Sequence, residues 1–102
     1  MIYKFLIWVI AVGLNAQEKI TSKLEVFDIY KNSRKVIYEK DIHFEAPNWS
    51  KNGKYLIFNQ QGYLYKINLD SSTPKLIDTD FAMSCNNDHG ISPSGDMLVI
   101  SH

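Results

Sequence analysis

The most polar cluster in this sequence is Asn86-Asn87-Asp88-His89, followed by Gly90. It offers two carboxamides, one carboxylate and one imidazole in consecutive positions. An imidazole nitrogen beside a carboxylate can contribute to a metal or ligand site. A zinc centre, however, needs three or four ligands at recognisable spacings, and no such spacing is present. The metal is therefore unknown at this level, and no cofactor is expected. Asn86, Asn87, Asp88 and His89 stand as candidate ligand-binding residues. The competing reading is that these side chains satisfy main-chain groups where a strand begins. Gly90 would let the backbone bend there.

The other reactive side chains offer less. Cys85 is the only cysteine, so no internal disulfide can form, and a small buried hydrophobe is the expected role. His89 follows it by four positions, which is about 13 Å of extended chain, too far for a Cys–His pair. His43 is expected at a rim or on the surface. The sequence has no glycine-rich phosphate loop and no serine nucleophile elbow. No carboxylate pair is placed for acid–base work, and no catalytic residue is assigned.

The polar cluster sits just before the second copy of a repeat. Ala46 to Phe58 reads APNWSKNGKYLIF, and Asp88 to Ile100 reads DHGISPSGDMLVI. Ser50 returns as Ser92, 42 residues on, and Gly53 and Leu56 return as Gly95 and Leu98. A period in the low forties is that of a β-propeller blade of four short strands. Ser50, Gly53, Ser92, Pro93 and Gly95 have the chemistry of a tight turn. Serine suits the first position of a type I turn, proline the second and glycine the fourth.

Each turn is followed by an apolar run, Tyr55 to Phe58 and Met97 to Ile100. Such runs suit strands covered on both faces. Around them, Leu24–Tyr30 and Lys35–Glu39 read as a hairpin turning at Lys31–Arg34. Glu45–Ser50, Tyr55–Asn59, Tyr63–Leu69 and Lys75–Asp78 read as four strands in meander order. Tyr63, Tyr65, Ile67 and Leu69 share one face at period two, as packing side chains, while Lys66 and Asn68 face away. Trp49 takes the place of Ile91 and is expected in the core. The fold class is thus all-β, with antiparallel four-stranded blades of a propeller. The leading hairpin spans 19–41, the first full blade 45–79 and the start of the next blade 87–102. Propellers close with four to eight blades, so the expectation is an N-terminal fragment. Its open sheet edges would invite self-association.

Composition bounds the partners. Hydrophobic residues make up 45% and charged residues 22%, which excludes a disordered chain. Acidic and basic residues number 11 each, so no basic excess exists to hold a phosphate backbone, and nucleic acid is not an expected partner. Residues 1–16 read as a secretory signal: Lys4, then an apolar run from Phe5 to Leu14, then Ala16 ahead of Gln17. Trp8 lies in that signal. The run is too short to cross roughly 30 Å of hydrocarbon, so no stable membrane span is expected after its removal. The location expected is periplasmic or secreted.

The repeated residues resemble a known family. Trp49-Ser50-Lys51-Asn52-Gly53-Lys54-Tyr55-Leu56-Ile57-Phe58 is similar to the Trp-Ser-Pro-Asp-Gly-Lys blade signature of TolB-like, WD-like propellers. Ile91-Ser92-Pro93-Ser94-Gly95 is similar to it again. Lys51 replaces the proline, Asn52 and Ser94 the aspartate, and Ile91 the tryptophan. The resemblance implies an exported module of the cell envelope that binds a protein, a peptide or another ligand, in the setting of biopolymer transport. The alternative is part of a propeller enzyme, either a metal-dependent oligosaccharide lyase or a peptidase whose catalytic part lies elsewhere.

Overall fold

A computed structural model describes residues 18–102; the expected signal at 1–16 lies outside the described residues. The described chain is all-β and antiparallel, with no helix. Strands β1 (Ser22–Asp28) and β2 (Ser33–Lys40) form the first sheet. Strands β3 (Phe44–Trp49), β4 (Tyr55–Gln60), β5 (Tyr63–Asn68) and β6 (Lys75–Leu76) form the second, in sequence order. Strands β7 (His89–Ile91) and β8 (Leu98–Ile100) form the third.

The repeated corner recurs bond for bond. Gly53 N donates to Ser50 O at 3.0 Å, and Gly95 N to Ser92 O at 2.9 Å. Ser50 N reaches Tyr55 O at 2.9 Å, as Ser92 N reaches Met97 O at 2.9 Å. Each serine hydroxyl then accepts the amide five residues on, Tyr55 N at 3.0 Å and Met97 N at 3.1 Å. The strand register repeats as well: Asn48 faces Ile57 and Trp49 faces Leu56, as Gly90 faces Val99 and Ile91 faces Leu98. Gly53 and Gly95 both have positive φ, 73° and 79°, a region that costs a residue with a Cβ.

Strand β4 lies at the centre of the core, as its unbroken apolar run requires. Leu56, Ile57, Phe58, Asn59 and Gln60 are all buried, so both faces of the strand are covered. On one face Leu56, Phe58 and Ile67 meet Leu24 and Ile37 of the first sheet, with Phe44 beside them. Tyr38, Phe44 and Phe58 lie with ring centroids 5.1–5.7 Å apart, and Tyr65 stacks on Phe58 at 5.9 Å. Such pairs add about 0.5–1.5 kcal/mol each beyond area burial. On the other face Ile57 and Leu64 meet Ala82 and Cys85, with Ile91, Leu98 and Ile100 packed against them.

Several local expectations need correction. The first hairpin turns at Ile29–Asn32, not Lys31–Arg34. Asp28 Oδ1 accepts from both Tyr30 N and Lys31 N at 3.0 Å, closing the turn early. Ile29 and Tyr30 are left exposed. Strand β6 stops at Leu76 rather than Asp78, although Ile77 N still bonds Leu64 O at 2.9 Å. Strand β5 is buried more deeply than its polar side suggests, because Leu64 on that side is fully enclosed. Trp49 is 52% exposed rather than in the core. It shares its sheet face with Leu56, but the first sheet does not extend over it. Gly90 is regular strand without positive φ, so it makes no bend.

Gly95 and Gly62 separate two effects. A Cβ at Gly95 would meet nothing within 4 Å, so Gly95→Val should cost backbone strain alone, about 1–3 kcal/mol. A Cβ at Gly62, where φ is 83°, would lie 2.7 Å from Met83 O. Gly62→Ala should therefore destabilise more than Gly95→Ala. Denaturant midpoints check both, and equal midpoints for the two alanine variants would contradict the crowding at Gly62.

Candidate functional site

The connector from Asp80 to Asn87 leads into the candidate cluster, and a buried asparagine holds it in place. Asn59 Nδ2 donates to Cys85 O at 2.6 Å and to Asn86 O at 2.8 Å. Its Oδ1 accepts from Gly62 N at 3.3 Å. Gly62 O in turn accepts from Cys85 N at 2.8 Å. The β4–β5 turn and the connector are thus bound through one 5% exposed side chain whose polar atoms are all used.

Asn86 spends its groups locally. Nδ2 donates to Ser101 Oγ at 3.0 Å, Oδ1 accepts from Asp88 N at 2.8 Å, and its main-chain N reaches Ser101 O at 3.0 Å. Asn87 and Asp88 are exposed, and Asn87 O accepts from His89 N at 3.2 Å. His89 is half-buried against the second sheet. Asn48 Nδ2 lies 2.8 Å from its Nδ1 and 3.0 Å from its carbonyl O. Its Nε2 is buried and unpartnered. Burial pushes the His89 pKa below the ordinary imidazole value, while the neighbouring Ala46 main chain and the charge of Asp88 pull it upward. Ala46 sits in a bulge of β3 with φ of 56°.

These four residues adjoin along the chain but do not converge on one point. Asn86 makes its bonds to Ser101 and to the Asp88 amide. Asn87, Asp88 and His89 form the entrance to β7. Among the described residues no three His, Cys, Asp or Glu side chains lie together as a metal would need. Cys85 is 5% exposed and its Sγ contacts Ala82 O at 3.2 Å. His43 is exposed and lies 3.2 Å from Glu45. An open hollow lined by His89, Gly90, Ile91, Val99 and Ile100 is mainly apolar. Within it Val99 is exposed, while Ile91 and Ile100 also pack toward the cluster of Ile57 and Leu64. Sequence reasoning passed over Asn48 and Asn59. Asparagine is depleted in strands, so one at the end of an apolar run was the available signal.

The chain is similar to known proteins over most of its length. It is 47% identical over 81 residues to an uncharacterized protein of Agrobacterium fabrum, an alignment covering 78% of this chain and 28% of that protein. A solved structure from Agrobacterium tumefaciens, provisionally named TolB, superposes with a TM-score of 0.74 at 44% identity. That match covers 78% of this chain and 29% of the solved one. No family model matches the sequence. The fold is TolB-like, and the chain spans under a third of the length of either relative.

Removing the Asn59 side chain should release the connector. Asn59→Ala leaves the Cys85 and Asn86 carbonyls without their donor and should cost about 1–3 kcal/mol. Cys85 should then react faster with a thiol reagent under native conditions. An unchanged labelling rate would show that the connector is held by something else.

Proposed function

We propose that this chain is part of an exported TolB-like β-propeller that serves as a protein- or peptide-binding module of the cell envelope. The observation that carries the proposal is the corner at Ser50 and Ser92, the same in hydrogen bonds and in register on two successive sheets. Sheets that repeat a corner and cover each other's faces are the units of a repeat fold. The TolB-named structure, at 44% identity and a TM-score of 0.74, supports the same reading. On this reading residues 17–102 belong to the propeller, 45–79 form one blade, and 1–16 are the export signal.

The inner strands of successive blades approach a common axis. Strand β3, an edge of the second sheet, meets β7 through Asn48 and His89. The exposed Asn87 and Asp88 stand beside that junction. A ring of such entrances presents polar side chains and main-chain groups to an extended peptide, which is what a binding rim requires.

Two measurements test this. Residues 1–20 fused to a phosphatase active only after export should give activity, and a fusion that stays inactive in the cytoplasm would overturn the export reading. A photo-crosslinking residue in place of Asn87 should capture the same envelope protein reproducibly, whereas one in place of Lys31 at the first hairpin tip should not. Equal capture at both positions, or none at Asn87, would count against a binding rim at this junction.

A further inference from the structure

Beside its apolar packing, the joint between the second and third sheets includes one amide and one ring. Between β3 and β7, Asn48 Nδ2 makes two contacts to His89, one to the ring and one to the carbonyl. The His89 carbonyl can only accept, so the amide edge turned toward it must be the NH2. A flipped amide would set oxygen against oxygen. The same NH2 has a second hydrogen, and it points at His89 Nδ1, 2.8 Å away. Nδ1 must therefore accept, and the neutral ring carries its proton on Nε2. That Nε2 is buried without a partner.

We propose that Asn48 and His89 form a proton-operated latch between the second and third sheets, closed by the neutral ring and opened by the protonated one. Protonation adds a hydrogen to Nδ1. Two donors then face each other across 2.8 Å, and the contact cannot persist. It also sets a positive charge on a half-buried ring, which burial disfavours although the Ala46 main chain and Asp88 pull the other way. The charged groups on the surrounding elements do little to offset this. Asp88 beside the ring favours the cation. Glu45 on β3 lies 3.2 Å from His43. Strand β8 brings no charge. The apolar packing of Ile91, Leu98 and Ile100 and the hold of Asn59 on the connector involve no titrating group. Acid should therefore loosen the β7 junction without unfolding β4 and β5.

The direction follows from the burial of the ring. Its folded-state pKa lies below 6.5, the ordinary value that the unfolded chain keeps. The unfolded or unlatched state therefore binds the proton more readily. The latch is fully closed above about pH 6.5 and is lost as the pH falls through the folded value. This inference stands apart from the binding role proposed above, because it concerns the sheet junction whatever the rim binds.

The test is made on the full-length protein. Ring nitrogen shifts should show the Nε2–H tautomer of His89 at neutral pH. Amide protection in β7 and β8, corrected for intrinsic exchange, should fall about five- to tenfold between neutral pH and a pH at which the ring shifts show His89 protonated, the scale of one lost hydrogen bond. Protection in β4 and β5 should hold over that range. Asn48→Ala should show the lowered β7 protection at both pH values, and His89→Gln should remove the acid response. A protonated Nδ1 in the neutral ring would overturn the latch. So would equal β7 protection at both pH values in the wild-type protein, or an undiminished acid response in His89→Gln.

Discussion

Everything in this structure depends on burying β4 from both sides. Five consecutive residues of that strand, Leu56 to Gln60, are enclosed. A strand in a sheet has two faces, so two separate layers must supply the cover. The first sheet covers Leu56 and Phe58. The connector and the third sheet cover Ile57 and Leu64. Removing either layer would expose one of the two fully buried groups, Phe58 and Ile67 or Leu64, each worth about 1.5–3 kcal/mol per side chain when buried. The sheets therefore stabilise one another, and the middle one has little claim to stability alone.

Polar side chains set how the layers align. Apolar contact alone would let the sheets slide, since it has no direction. Asn59 ties the connector to the β4–β5 turn, and Asn48 ties β7 to β3. Gln60, also buried, meets Tyr38 Oη at 3.3 Å and links the second sheet to the first. Each sheet boundary thus holds at least one directional bond within or beside an apolar cluster. The third sheet shows what an uncovered layer looks like. Val99 occupies the repeat position of Ile57, yet it is 73% exposed while Ile57 is 5% exposed.

Much of this was legible in the sequence, for reasons that can be named. The Ser–Gly corner is short-range chemistry: a serine hydroxyl and a glycine with positive φ specify it locally, so two copies could be read and aligned. The apolar run at Tyr55–Phe58 announced a strand covered twice. The first hairpin turn was misplaced because Ile29 and Tyr30 have strand-like side chains. Asp28 captures the two following amides and overrides that propensity. Trp49 was expected inside because its repeat partner is apolar, but burial depends on the neighbouring layer, which sequence spacing does not reveal. The cluster at Asn86–His89 was found, while the asparagines that orient it were not. Their roles exist only once residues 26 or more positions apart are brought together.

The proposed propeller requires that successive sheets stack face to face around a shared axis, with the serine corner at the same end of each. A crystal structure of the protein tests it most directly. The account predicts the Ser50 and Ser92 corners at equivalent places on adjacent blades, with Val99 covered as Ile57 is. Finding β7 and β8 hydrogen-bonded to the free edge of β3 in one continuous sheet, with Val99 facing solvent, would contradict it.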